Sequence, residues 1–291
     1  MTLKTILNEF HLALDDDYGH NEVNSFYDVL LEHYLGIKRI QLVLNPQYVI
    51  TKEQELLFKE ALERLKHNIP IQYIIGETEF YGLPFKVNEH TLIPRPETEE
   101  LVSLILKDMN LKAEKKALKI LDIGTGTGCI AISLAKHLPE SEILALDVSE
   151  NALEVAKHNA KLNTVDIEFI LDDILNSKSA KQVSVSHNLE LIVSNPPYVR
   201  TSEKTEMKSN VLDNEPHLAL FVEDDNPLKF YRAICEYAQQ NLKTEGVLYF
   251  EINEYLGQEM TKLLEEFSFK SVELKKDMFG KDRMIKGIKQ T

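Results

Sequence analysis

The sequence predicts an α/β protein: a parallel sheet with helices on both faces, preceded by a small all-α domain and joined to it by a β-hairpin. Three observations predict it. Apolar residues recur at helical spacing up to about Pro70, a short aromatic segment built around Gly and Pro follows, and from Pro96 onward apolar strands alternate with helical stretches.

The elements follow in order. Phe26, Leu30, Leu31, Tyr34 and Leu35 form one helical stripe, and Leu56, Leu57, Ala61, Leu62 and Leu65 form a second, with charged residues on the other faces. The run from Phe80 through Tyr81, Gly82, Leu83, Pro84 and Phe85 to Val87 reads as a hairpin. Strands are expected at 119–123, 142–148, 167–171, 189–194 and 247–252, with helices between them near 129–138, 150–162 and 227–241. A helix at 255–266 precedes a further strand at 283–288 that pairs back onto the sheet, and the Ser-rich stretch 176–187 reads as a loop. The resulting division is a helical domain over 1–75, a connector over 76–94 and a main domain over 95–291.

Composition narrows the function. With 291 residues the chain is long enough for two domains, and 43% hydrophobic with 27% charged content is ordinary for a globular protein. No apolar run approaches the roughly 18 residues of a membrane span. The N-terminus has no apolar signal core, and a cytosolic location is expected. Cys129 and Cys235 cannot build a disulfide framework, and no Cys/His cluster has metal-ligand spacing, so no metal is expected. A net charge of −14 opposes non-specific binding to a phosphate backbone, so no direct nucleic-acid partner is expected.

The most informative residues are Asn195-Pro196-Pro197-Tyr198, directly after the apolar run Leu191-Ile192-Val193-Ser194. Two ring-locked residues remove two backbone donors and leave carbonyls free to accept, while Asn195 adds a side-chain acceptor and donor. At the carboxyl end of a strand, where open α/β sheets bind ligands, this makes a rigid polar pocket for a planar amide or amino group. A plain strand-terminating turn is the competing reading.

Upstream, Asp122-Ile123-Gly124-Thr125-Gly126-Thr127-Gly128 follows a strand and opens a helix, so its amides can approach a ligand closely. The spacing is not the dinucleotide fingerprint, because Cys129 stands where that pattern wants Gly or Ala. The next strand ends at Asp147, placed to hold ribose hydroxyls, and the third is followed by Asp173-Ile174, an acid–apolar pair suited to an adenine ring. No Gly-Lys-Ser/Thr phosphate motif is present, so the nucleoside that fits carries a sulfonium: S-adenosylmethionine.

With these residues in place the chain resembles the class I S-adenosylmethionine-dependent methyltransferases, with their Rossmann-like sheet. Within them it resembles the HemK-like release-factor glutamine methyltransferases. The markers are Gly76-Glu77, Phe80-Tyr81-Gly82-Leu83, the run from Leu92 through Arg95-Pro96-Glu97-Thr98-Glu99, Asp122 to Gly128, Asp147, and Asn195 to Tyr198. The resemblance implies methyl transfer to the glutamine of the Gly-Gly-Gln motif in peptide chain release factors, recognised through the helical N-terminal domain. It implies that Gly124, Thr125, Gly126, Thr127 and Gly128 hold the methionine part of the cofactor, Asp147 the ribose, and Asp173 and Ile174 the adenine side. Asn195, Pro196, Pro197 and Tyr198 would hold the glutamine, with Asn195 also facing the cofactor. Ile174 departs from relatives that carry an aromatic there.

Arg95 to Glu99 also suits a helix N-terminus, with Pro in the first turn and acids after it, and the alternative is a border of the substrate mouth. Asp213-Asn214-Glu215-Pro216 reads as a loop, and His90 and His217 as surface histidines. The competing functions are a ribosomal-protein glutamine methyltransferase, a nucleic-acid exocyclic-amine methyltransferase, a cofactor-binding interaction protein and, more weakly, an NAD-dependent dehydrogenase. The tetrad fits a base amine equally well, but acids outnumber bases over residues 1–79, where a base-flipping enzyme would want a basic grip.

Overall fold

The computed structural model describes residues 1–45, 47–110, 117–176, 188–207 and 209–290. The expected loop at 176–187 lies, apart from Asn176, outside the described residues. The helical unit contains α1 (Leu3–Tyr18), α2 (His20–Leu35), α3 (Arg39–Leu44), α4 (Lys52–Lys66) and α5 (Ile71–Ile75). Thr2 caps α1 by accepting from the Thr5 amide, and Thr51 and Gln54 form a reciprocal capping box on α4. Phe10, Leu14, Tyr27, Leu30, Phe58 and Leu65 fill its core. In the second stripe expected from sequence, Ala61, Leu62 and Leu65 face inward as expected, but Leu56 and Leu57 are exposed and Phe58 takes the inward position. An i, i+3, i+4 set starting one residue later satisfies the same helical period, so periodicity alone does not choose between them.

The larger unit begins with the hairpin β1 (Glu77–Phe80) and β2 (Leu83–Lys86), followed by α6 (Pro96–Asn110), β3 (Lys119–Ile123), α7 (Cys129–His137), β4 (Glu142–Asp147), α8 (Glu150–Asn163) and β5 (Glu168–Leu171). Next come β6 (Leu189–Ser194) and the short β7 (Val199–Arg200). The chain then contributes α9 (Ser209–Leu212) to the helical unit, where the Asn214 side chain donates to the Asn68 carbonyl at 3.0 Å. It returns to the larger unit with α10 (His217–Leu220), β8 (Phe221–Val222), α11 (Lys229–Asn241), β9 (Leu242–Glu251), α12 (Gly257–Glu266), β10 (Phe269–Lys276) and β11 (Asp282–Lys289).

The central sheet has seven strands in the order β10-β11-β9-β6-β3-β4-β5. The five strands from β9 to β5 are parallel, as the strand–helix alternation requires, whereas β11 pairs antiparallel with both β9 and β10. The sheet is therefore mixed, and β10 is a strand that the sequence did not reveal. Apart from buried Phe269 its residues are exposed or partly buried, and they include Lys270, Lys275 and Lys276, as suits an edge strand. Along the parallel strands Ile120, Leu191, Val193 and Tyr249 pack on one face with α6 and α7. Leu121, Ile192, Leu248 and Phe250 pack on the other with α11 and α12. Both faces are covered, which is why these strands read as unbroken apolar runs.

The hairpin is pinned to α8 by a buried amide. Asn159 accepts from the Lys86 amide at 2.7 Å and donates to the carbonyls of Lys86 and Thr127, each at 3.0 Å. Asn159→Ala strands these three backbone groups, at roughly 1–3 kcal/mol for each buried group left unpaired. Urea unfolding of the variant is expected to show a loss of about 3 kcal/mol or more; an unchanged midpoint would count against the pin.

Candidate active site

The sheet grows in opposite directions on the two sides of β3, with β4 and β5 on one side and β6 and β9 on the other. Such a reversal opens a crevice at the carboxyl ends of the two central strands. Register places Ile123 opposite Ser194, and the Ser194 hydroxyl donates to the Ile123 carbonyl at 2.6 Å. Gly124 and Asn195 are the next residues of β3 and β6, so the turn and the tetrad leave the sheet side by side.

The turn after β3 is held by its neighbour strand. The amides of Gly124 and Thr125 both donate to the Leu146 carbonyl, at 2.8 and 3.0 Å, and the Gly126 amide donates to Asp147 Oδ2 at 2.8 Å. Gly124, Gly126 and Gly128 have φ of 76°, 55° and 80°. A side chain at Gly128 would sit 2.9 Å from Ile132 Cδ1, so this glycine is needed for close packing as well as for its backbone angle. Gly124 and Gly126 instead face open space, with nothing within 4 Å of a built Cβ. They form a cradle that a ligand can approach without meeting side chains.

Asp147 lies at the tip of β4, and its second oxygen accepts the Ser149 amide at 2.9 Å. Burial raises its carboxyl above the ordinary range, while the amides of Ser149, Gly126 and Val148 pull it back. Asp122 is more deeply buried: its Oδ2 accepts the Thr125 hydroxyl at 2.7 Å, its Oδ1 has no hydrogen-bond partner among the described residues, and burial pushes the carboxyl up to about 7.

A cleft of about 1140 Å³, open-solvent space included, lies beside these groups, and Asp122 is not among its lining residues. Gly124 through Thr127, Asp147, Asp173, Ile174, Asn195, Pro196 and Pro197 all border it. Gly128 and Tyr198 do not. The Tyr198 hydroxyl is turned instead to Glu251 Oε1, 3.1 Å away. Asp172, Phe230 and Ile234 also line the cavity and escaped sequence reasoning. Phe230 and Ile234 sit on α11, remote in sequence, where an amphipathic pattern reads only as core. Exposed His90, expected on the surface, also borders the cavity mouth.

The tetrad presents acceptors. The Asn195 amide donates to Thr98 Oγ1 at 3.2 Å, and among the described residues nothing donates to Asn195 Oδ1 or to the Pro196 carbonyl. Thr98 in turn donates to Glu251 Oε2 at 2.6 Å. The segment from Arg95 does start α6 at Pro96, and it also borders the cavity through Arg95 and Thr98. Arg95 is ion-paired with buried Glu215, whose other oxygen accepts the Ile93 amide at 3.1 Å. This assigns Glu215, undecided from sequence, to holding the 93–95 stretch at the cavity wall.

Three acids and a single, already paired arginine make the lining unsuited to phosphate and well suited to a cationic nucleoside. His11, Asp15 and His20 converge at the α1–α2 junction, where both imidazoles hydrogen-bond to Asp15. His20 comes from the helix after the one that carries His11 and Asp15, and none of the three is part of the cavity lining.

Comparison with known proteins agrees with this architecture. Residues 102–219 match the family model described as "Methyltransferase small domain", and residues 5–76 match the "PrmC N-terminal domain". A release factor glutamine methyltransferase from Flavobacterium psychrophilum is 54% identical over 98% of this chain and 99% of its own. The chain belongs to the release factor glutamine methyltransferase family. The Bacteroides thetaiotaomicron member is 42% identical over 94% of this chain and 95% of its own. Among solved structures, a T. thermophilus 16S rRNA methyltransferase in complex with AdoMet and guanosine aligns with a TM-score of 0.53 at 15% identity. It covers 74% of this chain and 50% of that one, a likeness of fold. No helix among the described residues is long and apolar enough to cross a membrane.

The buried Asp122 carboxyl makes a pH-dependent contribution to stability. Its folded pKa of about 7 lies above the ordinary 3.8, so the folded state is favoured while the group is protonated. That contribution is complete below about pH 4 and is lost as pH rises to about 7. The stability of the wild type relative to Asp122→Asn, followed by thermal unfolding, is expected to fall across this window; a constant difference would contradict the assignment.

Proposed function

We propose that this enzyme transfers the methyl group of S-adenosylmethionine to the side-chain amide nitrogen of the glutamine in the Gly-Gly-Gln segment of peptide chain release factors. The observation that carries the reading is the pair of acceptors at the tip of β6, Asn195 Oδ1 and the Pro196 carbonyl, beside the glycine cradle and without internal donors. The names of the relatives and the match of the helical unit support the choice of substrate.

When bound, S-adenosylmethionine supplies an electrophilic methyl on a sulfonium. The backbone of Gly124 to Thr127 would hold its methionine part, Asp147 its ribose, and Asp173 and Ile174 its adenine, with Phe230 offering a further apolar wall. An amide nitrogen is a poor nucleophile, because its lone pair is delocalised into the carbonyl. The two acceptors would each take one N–H of the substrate amide and hold the nitrogen towards the cradle. Alignment of this kind is worth about 7–11 kcal/mol in favourable cases. The same oxygens stabilise positive charge developing on nitrogen, and they do so without reorganising because proline rings and Thr98 hold them in place. Pro197 adds rigidity, and Tyr198, tied to Glu251, anchors the segment from behind. No strong base is needed, since an alkylated amide is acidic enough to lose its proton to water. A base amine would satisfy the same two acceptors, but a chain of net charge −14 is poorly suited to gripping a phosphate backbone.

Incubation with a release factor and S-adenosylmethionine, followed by peptide mass spectrometry, is expected to place one added methyl on that glutamine. An unmodified peptide, or methylated RNA in its place, would reject the reading. Asn195→Ala is expected to keep its affinity for S-adenosylmethionine by calorimetry while turnover falls by roughly 10²–10³-fold, as when one preorganised polar contact to a transition state is removed.

A further inference from the structure

An asparagine side chain has nearly the same shape in its two amide orientations, yet only one presents oxygen to an incoming N–H. At Asn195 the choice is made by residues behind it. Thr98 Oγ1 lies 2.6 Å from Glu251 Oε2, and an ionised carboxylate can only accept, so the single hydroxyl proton of Thr98 is committed to Glu251. The remaining lone pairs of Thr98 then face Asn195, which must offer its NH2 at 3.2 Å. Turning the Asn195 amide by half a revolution would set two acceptors against each other.

Glu251 itself is fixed on every side. It is 1% exposed at the end of β9, its Oε1 accepts the Tyr198 hydroxyl at 3.1 Å, and the Tyr231 hydroxyl donates to its backbone carbonyl at 3.0 Å. Burial raises its carboxyl above the ordinary range, while the hydrogen bond from Thr98, the charge of Arg283 and the hydrogen bond from Tyr198 pull it back towards the ionised form. Thr98 is 3% exposed in the first turn of α6. The relay thus joins α6, β9 and the tetrad through buried side chains whose donors and acceptors alternate in one direction only.

We infer that Thr98 and Glu251 are positioning residues which lock the amide of Asn195 so that Oδ1, and never the NH2, meets the substrate nitrogen. The inference rests on the methyl-transfer reading and adds to it the origin of the acceptor's orientation.

Replacing Glu251 by Gln tests the polarity directly. With Oε1 still accepting from Tyr198, the new amide turns its NH2 towards Thr98, the hydroxyl reverses, and Asn195 is turned to present NH2. Thr98→Val, which is nearly isosteric, removes the link without changing charge. Both variants are expected to lower kcat by roughly 10- to 100-fold, the range of one misdirected hydrogen bond. Affinity for S-adenosylmethionine by calorimetry should stay near wild type, and Thr98→Val, which takes one donor from buried Glu251, should melt somewhat lower yet remain folded at the assay temperature. Thr98→Ser should restore most of the kcat lost in Thr98→Val. The double variant should be no slower than the slower single one, because both act through the same amide.

A Thr98→Val enzyme within about twofold of wild-type kcat would overturn the inference while leaving the proposed reaction standing. So would multiplicative losses in the double variant, or a Thr98→Ser enzyme as slow as Thr98→Val. A wild-type enzyme that methylates no release factor would instead remove the reaction, and the inference with it.

Discussion

The pairing of β3 with β6 is the constraint on which the rest of the site depends. These strands are adjacent in the sheet but have α7, β4, α8 and β5 between them in sequence, since the chain builds outward through β4 and β5 before crossing back. Ile123 faces Ser194 across this seam, and the Ser194 hydroxyl ties to the Ile123 carbonyl at 2.6 Å. One residue further, the two strands part, and the glycine cradle and the acceptor tetrad emerge together. A slip in register would separate the cradle from the acceptors and turn alternate side chains to the wrong face.

Rigidity reaches this seam from behind. Asp147 anchors the cradle by accepting amides from Gly126 and Ser149, Glu215 anchors the wall at Ile93 and Arg95, and Glu251 anchors the tetrad through Tyr198 and Thr98. These three carboxylates are each matched with donors, which is the condition under which burying such a group is tolerated. The acidic character of the site then has two consequences. It holds the backbone in place, and it makes the lining hospitable to a cationic ligand and inhospitable to phosphate.

Much of this was legible because the signals are local. Parallel strands buried on both faces announce themselves as apolar runs, and the residues that end them, Gly124 to Gly128, Asp147, Asp173 and Asn195, follow immediately in the chain. Other features were not legible, for identifiable reasons. Leu56 and Leu57 satisfied the helical period yet point outward, because periodicity fixes a spacing without fixing its phase. The edge strand β10 lacks a clean alternation, and its register slips against β11 between Lys270 and Glu273 and again at Lys275. Phe230 and Ile234 joined the cavity from a helix whose pattern marks it only as amphipathic.

By itself, then, the sequence determined the class of sheet, the order of its main elements and the residue types at each strand tip, because each depends on a few neighbouring residues. Tertiary structure alone decided which of those tips meet, that Glu215 serves Arg95 across 120 residues, and that Glu251 directs Asn195 through Thr98. The reason is physical: hydrogen-bond polarity between side chains on different elements is set by burial and approach, and neither leaves a periodic trace in the chain.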